Sequence, residues 1–407
     1  MNQSVVGGTA LSRCAAGDHA TFAEQHWGRA PLLSRAAALP AGFEDLLDAA
    51  AVDELVSQRG LRTPFLRMAK EGQVLAAAKF TRGGGAGASI GDQAADDRVL
   101  ARMDEGATLV LQALHRTWPP LVTFASRLSD ELGHPVQINA YITPPGNRGF
   151  APHYDVHDVF VLQVSGRKRW RIHAPVVPDP LADQPWEKYK DLVASGSAGE
   201  PLIDAVLEPG DALYLPRGTI HAADALGETS IHLTVGVHPI TRYDLVTHLL
   251  ALAAGTAELR SSLPMGVDLA DPAALAPELA AVVAQLNRYL AEAPVGAVAD
   301  KIGDDLMART RPEPIGPLAQ LSAADGVDPS TRLRRRLGLR LRTSEGPDGV
   351  TITMLDRTVT LPLDCADAVK RALQADSFTV AELPGLGDPD RLVLVRRLLR
   401  EGVLVPL

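Results

Sequence analysis

Cysteine is nearly absent. The two in 407 residues, Cys14 and Cys365, lie at opposite ends of the chain and fit no zinc-ligand spacing. A disulfide framework and a cysteine-built zinc site are thereby excluded, and free thiols in a reducing compartment are expected. Long hydrophobic runs are missing as well. No stretch reaches the roughly 18 uncharged apolar residues that span a bilayer, and Met1 to Ala20 has neither the basic start nor the apolar core of a secretory signal. Positive charge is in deficit: 40 Lys and Arg stand against 49 Asp and Glu, a net charge of −9, so the chain has no general attraction for nucleic acid or anionic lipid. The expectation is a cytoplasmic protein with no membrane contact and no direct nucleic-acid binding.

What is present is ordinary globular material, 46% hydrophobic and 22% charged, and the length calls for two or three domains. Near the start, Asp18 caps a short helix with Phe22 and Trp27 as apolar anchors, and Phe43 to Gln58 has helical spacing. The run Gly83-Gly84-Gly85-Ala86-Gly87-Ala88-Ser89 lacks the Gly-Lys-Ser/Thr ending of a phosphate cradle. It reads as a loop, with a lid over a site as one use for it. Leu109 to Leu132 reads as a long amphipathic helix broken near Pro119-Pro120 and ended by Gly133-His134-Pro135. From there to about Pro239 the period changes to two, with short strands between Gly/Pro turns. That argues for a closed or double-sheet β architecture, of which the cupin jelly roll is one case.

Helices return at Asp244 to Arg260, Ala273 to Leu290 and Val298 to Met307. Such a segment of about 70 residues is short of a core by itself, and a second copy of the chain is a reasonable partner for it. Pro312 to Pro317 is a stiff linker. The remainder places strands around Gly346-Pro347-Asp348-Gly349 and helices at Ala366 to Ala375, Val380 to Leu383 and Pro389 to Arg400, the layout of a winged helix-turn-helix. The basic run Arg332 to Arg342 sits among many acids, which favours a solvated face and a protein-recognition module over a DNA reader.

The chemistry gathers between Asn139 and Ile172. His153 and Asp155, one residue apart on an expected strand, would point to the same face. His221 follows a turn, Pro216-Arg217-Gly218, after a short apolar strand from Ala212 to Leu215. Two histidines and one carboxylate on a β scaffold make the facial triad of a non-haem Fe(II) oxygenase, with positions left open for a cosubstrate and O2. In Lys168-Arg169-Trp170-Arg171-Ile172, alternation turns Lys168 inward with Trp170 and Ile172. A buried ammonium is costly unless it meets an anion, and the distal carboxylate of 2-oxoglutarate is such an anion. His157 falls on the face of His153 and Asp155, where it borders a substrate pocket or packs as a strand residue. His232 shares a face with Thr234, opposite Ile231, Leu233 and Val235, either as a group near the metal or as a core histidine.

The motifs Asn139-x-Tyr141-Ile142-Thr143-Pro144, Phe150-Ala151-Pro152-His153-Tyr154-Asp155, Val159-Phe160-Val161-Leu162-Gln163, Gly166-Arg167-Lys168-x-Trp170-Arg171 and Leu215-Pro216-Arg217-Gly218-x-Ile220-His221 resemble those of the JmjC-type, cupin-fold ribosomal oxygenases. The resemblance implies an α+β chain: a double-stranded β-helix (jelly-roll) catalytic domain over 1–239, a helical dimerisation domain over 240–320 and a winged helix over 321–407. It implies Fe(II) on His153, Asp155 and His221, and 2-oxoglutarate gripped by Lys168 with help from Tyr141. Asn139 and His232 complete the expected cosubstrate set. The substrate would be a side chain of a ribosomal protein or another polypeptide, met by a homodimer. Lys168 and Asn139 look like the histidyl branch, whereas Asp158-Val159-Phe160 is shared with bacterial arginyl enzymes, so histidine and arginine both stand as targets. Arg148, His157 and the loop around Gly85 are expected above the metal. Two other readings remain: the same chemistry on a small metabolite or natural-product peptide, and a non-catalytic cupin and winged-helix regulator that binds DNA.

Overall fold

The computed structural model describes residues 8–87, 89–147, 151–292 and 294–407, and these divide into two compact units, Met1–Pro239 and Ile240–Leu407. Among the described residues no helix is long and apolar enough to cross a membrane.

The first unit contains β1 (Leu32–Ser34), β2 (Leu66–Lys70), β3 (Gln73–Val74), β4 (Thr81–Arg82), β5 (Gln93–Ala94), β6 (Thr108–Leu111), β7 (Val136–Thr143), β8 (Asp158–Ser165), β9 (Lys168–His173), β10 (Ile203–Leu207), β11 (Ala212–Leu215), β12 (Ile220–Ala225) and β13 (Ser230–Val237). Eight of these form one sheet in the order β1-β11-β8-β13-β7-β6-β2-β3, three form a second in the order β10-β9-β12, and β4 pairs with β5. All the pairings are antiparallel.

Alternation sorts the side chains of the large sheet into two interiors. Ile138, Ala140 and Ile142 of β7, Phe160 and Leu162 of β8, and Ile231, Leu233 and Val235 of β13 pack with Leu121, Phe124 and Leu128 of the helix Pro119–Leu132 and with Val52 and Leu55 of the helix Ala49–Ser57. The opposite faces of β8 and β11 meet the small sheet in a second cluster of Val159, Val161, Leu213 and Leu215 with Trp170, Ile172 and Leu207. This second cluster fills part of the space between the sheets. The remainder of that space holds the polar side chains described below.

Three sequence expectations change. Thr108–Leu111 is a fully buried strand, because a short apolar run buried on both sides carries no period that separates strand from helix. Pro119 and Pro120 open the following helix at its first positions, where a missing N–H costs nothing. The helical spacing from Phe43 is realised only over Ala49–Ser57, capped by the Asp48 carboxylate, which accepts from the Ala51 amide at 2.7 Å.

In the second unit, helices span Arg242–Ala253, Pro272–Ala291, Val295–Arg309 and Pro317–Asp325, followed by Ala366–Gln374 and Asp388–Arg400. Strands β14 (Arg332–Arg335), β15 (Arg342–Gly346), β16 (Gly349–Thr353), β17 (Thr358–Leu361), β18 (Phe378–Thr379) and β19 (Leu404–Pro406) make two three-stranded sheets, β18-β14-β19 and β15-β16-β17. The Gly346 to Gly349 turn joins β15 to β16 as its residues suggest. Leu333, Ile352, Val369, Leu394 and Leu398 belong to one apolar core here.

Candidate active site

His153 and Asp155 do not lie on a strand. They sit in the irregular segment before β8, where His153 forms an isolated antiparallel bridge with His221 on β12, through amide hydrogen bonds of 3.2 and 2.8 Å. Backbone pairing across the two sequence segments, instead of alternation within one, is what joins the expected ligands. A ligand atom from each of His153, Asp155 and His221 lies within 4.8 Å of the others, and His221 Nε2 is 3.8 Å from an Asp155 oxygen.

Both imidazoles are held by carbonyls. His153 Nδ1 is 2.7 Å from the Ala151 oxygen and His221 Nδ1 is 3.0 Å from the Thr219 oxygen. A carbonyl only accepts, so each Nδ1 carries a proton, which leaves Nε2 as the atom that could coordinate a metal. Burial, then the neighbouring His153, lowers the His221 pKa to about 4 against the pull of Asp155, which keeps that ring neutral. Burial would raise the Asp155 carboxyl, but His157, His221, His153 and Arg67 outweigh it and hold the group below its ordinary range.

The turn before His221 is fixed twice. Asp158 accepts from the Tyr214 hydroxyl at 2.8 Å and from the Arg217 amide at 2.9 Å, and the Gly218 amide donates to the Asp155 carbonyl at 2.9 Å. Gly218 has φ +83°, and a Cβ there would stand 2.6 Å from the Val177 oxygen. No side chain fits at that position.

The triad borders a cavity of about 360 Å3 between the two sheets. Its deep wall is Lys168 and Trp170 of β9, Tyr141 of β7, and His232 and Thr234 of β13. Lys168 is 2% exposed. Its Nζ donates to the Thr143 hydroxyl at 3.2 Å, and among the described residues no carboxylate stands in ion-pair range of it. Burial, offset in part by Asp224, lowers its pKa to about 8. The arginines on the other face of β9 pair outward, Arg169 with Asp204 at 2.6 Å and Arg171 with Asp224 at 2.6 Å, as the alternation requires. His232 stacks on Tyr141, centroids 5.1 Å apart and planes at 6°, and its Nδ1 has no partner among the described residues. Burial and then the Lys168 charge push its pKa well down, so it is neutral. Burial raises the Tyr141 pKa against the opposing pull of Arg67, which also hydrogen-bonds to the phenol.

A divalent ion and a dicarboxylate fit these donors. Two imidazole nitrogens and one carboxylate lie within 4.8 Å of one another, and a buried ammonium and an unpartnered imidazole nitrogen stand in the same cavity.

Other expected residues fall elsewhere. Asn139 shares the cavity-facing side of β7, yet its side-chain oxygen accepts from the Ala113 amide at 3.0 Å, and it is not among the cavity-lining residues. His157 packs against His238, centroids 4.9 Å apart, beside Gln137, which is the packed alternative. The described residues of the Gly83–Gly87 loop form the β4–β5 connection and none lines the cavity. Arg148 lies outside the described residues. Arg67, Gly72 and Val74 from the β2–β3 hairpin, with Trp186 and Glu187 from the segment between β9 and β10, border the cavity unforeseen. For Arg67 a signal existed. Leu66 and Met68 are buried on one face of β2, which turns the intervening arginine to the other.

Residues 120–245 match the family model of the JmjC domain. The chain is 38% identical over 210 residues to Ribosomal oxygenase 1 of Homo sapiens, a match covering 46% of this chain and 31% of that one. It is 40% identical over 155 residues to the bifunctional lysine-specific demethylase and histidyl-hydroxylase NO66 of Drosophila willistoni, covering 36% of this chain and 20% of that one. The chain thus spans about a third of the length of the curated relatives it matches. Among solved structures, the ribosomal oxygenase YcfD of Escherichia coli has the same fold, with a TM-score of 0.55 at 20% identity over 97% of this chain and 99% of that one. A YcfD structure in complex with cobalt and 2-oxoglutarate is similar at a TM-score of 0.53 and 18% identity, over the same shares.

Proposed function

We propose that this JmjC-domain chain is an Fe(II)- and 2-oxoglutarate-dependent oxygenase that hydroxylates a side chain of a polypeptide, in the first instance a ribosomal protein. The observation that carries this reading is the pairing, in one cavity, of the His153, Asp155 and His221 ligand atoms with the buried Lys168 ammonium. A His-Asp-His triad alone suits several metal chemistries, and a buried ammonium alone suits any anion. Side by side in one cavity, the two fit a metal-chelating dicarboxylate. When bound, Fe(II) and 2-oxoglutarate would let O2 act as the oxidant, one of its oxygen atoms going into a C–H bond and the other into the succinate formed as 2-oxoglutarate loses CO2.

The chain's own residues bind and orient. His153 and His221 present Nε2, held by the Ala151 and Thr219 carbonyls, and Asp155 supplies the third ligand as a carboxylate. Lys168 fixes the far carboxylate of the cosubstrate through a charge-assisted hydrogen bond, with Tyr141 and the neutral His232 beside it. Val159, Val161 and Trp170 close the deep end to water. The names of the relatives, and the cobalt and 2-oxoglutarate in a neighbour of the same fold, support this assignment.

For the rest of the chain we propose that residues 240–320 form the contact between two copies and that 321–407 is a winged helix serving protein recognition, in a cytoplasmic enzyme. Iron-loaded protein should form succinate from 2-oxoglutarate in the presence of ribosomal proteins, and mass spectrometry should find one of these heavier by an oxygen atom. His153→Ala or Asp155→Ala should abolish both signals. Absence of iron-dependent turnover with any ribosomal protein, in protein of confirmed iron occupancy, rejects the reading.

A further inference from the structure

The 29 residues between β9 and β10, 174–202, carry a short 3-10 turn, Trp186–Tyr189, and a helix, Lys190–Ser197. This insertion is bolted to the metal ligands. Tyr154, between His153 and Asp155 in sequence and 1% exposed, packs with Val193 and with Ile220, the neighbour of His221, in a cluster that also takes in Trp186 and Tyr189. The Tyr154 hydroxyl donates to the Gln184 carbonyl at 2.8 Å, and the Gln184 side chain in turn accepts from the Leu181 amide at 2.9 Å. Trp186 and Glu187 are therefore set at the cavity by packing that begins at the ligands themselves.

Their chemistry is specific. The Trp186 ring lies 6.1 Å from that of His153, and the Lys190 ammonium already stands 5.8 Å from the centre of the indole, so this aromatic surface accepts a cation. Glu187 is exposed, lines the same cavity, and among the described residues has no cation in ion-pair range. An indole next to an unpaired carboxylate best matches a planar cation that stacks and donates two parallel hydrogen bonds, which a guanidinium does and the Lys190 ammonium, a point charge over the ring, does not. We propose that Trp186 and Glu187 form a subsite for an arginine side chain of the polypeptide substrate, flanking the residue that reaches the metal. This deepens the oxygenase reading and rests on it for the word substrate, but the binding chemistry stands by itself.

The test uses the full chain, indole-labelled with 15N, and acetyl-arginine amide as probe, with acetyl-citrulline amide as the neutral isostere. The Trp186 indole signal, assigned by its loss in Trp186→Phe, should move with the arginine probe, while the citrulline probe should bind roughly tenfold more weakly or not at all. Glu187→Gln, a conservative change at an exposed position, should remove roughly the same factor. Equal response to the two probes, no response to arginine, or undiminished arginine binding by Glu187→Gln overturns the proposal. Iron-dependent succinate formation by the unaltered chain, measured alongside, reports on the oxygenase reading and not on this subsite, so the two can fail separately.

Discussion

At the scale of single residues, Lys168 links stability to function most directly. A buried ammonium whose nearest partner is a hydroxyl is a cost that the fold carries when no anion is bound. Because its folded pKa of about 8 lies below the ordinary 10.5, the folded chain releases this proton before the unfolded chain does. Its contribution to stability is therefore least favourable below pH 8, rises as the pH climbs from about 8 to 10.5, and is flat beyond. Lys168→Met, which keeps length and loses charge, should raise the stability of the cosubstrate-free protein by about 1–3 kcal/mol at neutral pH. It should also weaken 2-oxoglutarate binding severely and flatten that alkaline slope. Denaturant unfolding at pH 7 and pH 10, with calorimetric titration of 2-oxoglutarate, checks all three, and a Met variant less stable than the parent would sink the argument. In the unaltered protein, 2-oxoglutarate affinity should fall as the pH rises past about 8, because the anion then meets a neutral amine.

Local elements decide whether such residues meet, and the turn before β12 shows how. Gly218 has a left-handed φ, stands 2.9 Å by its amide from the Asp155 carbonyl, and has no room for a Cβ beside Val177 and Pro180. Gly218→Ala should therefore cost about 2 kcal/mol from the strained conformation and the displaced neighbours. Because the displaced backbone carries His221, cobalt affinity should fall along with Tm. A variant that loses Tm but keeps metal affinity would show that the turn supports the fold alone. The sequence made some of this legible and some not. Lys168 and His232 could be assigned to the interior because each lies on a strand, β9 and β13, whose alternation decides the face. The structure brings His153 and Asp155 together with His221, but not by strand alternation: their segment is irregular, and the bridge to His221 is a pairing between stretches 68 positions apart that no local period records. Asn139 shows the converse limit. Its face was readable from β7, but the Ala113 amide that occupies its side chain comes from another element. Trp186 and Glu187 sit on a 3-10 turn too short to carry a period, and the packing of Trp186 on Tyr154 is what brings this turn to the cavity.

At the scale of the whole molecule, the helix Pro272–Ala291 poses a problem that one chain does not solve. None of its 20 residues is buried, although Leu279, Val282, Val283 and Leu290 are apolar and 38–57% exposed. Helical spacing of three and four puts these on one stripe with Leu286, and such a stripe on a helix about 30 Å long is a surface for another apolar surface. The helix Arg242–Ala253 adds Leu245, Val246 and Leu250, exposed by 40–47%. A second copy of the chain, the partner proposed above, would supply a self-complementary surface by two-fold symmetry without any further protein. The double variant Leu279→Glu, Val283→Glu places two carboxylates per chain in that contact while leaving good helix formers at both positions. Uncompensated burial of these charges should weaken self-association by at least about a hundredfold. Sedimentation velocity should then show a dimer for the parent and a monomer for the variant, with helix content by circular dichroism unchanged. An unaltered sedimentation coefficient in the variant would remove this stripe from the interface, and a monomeric parent at micromolar concentration would remove the dimer itself.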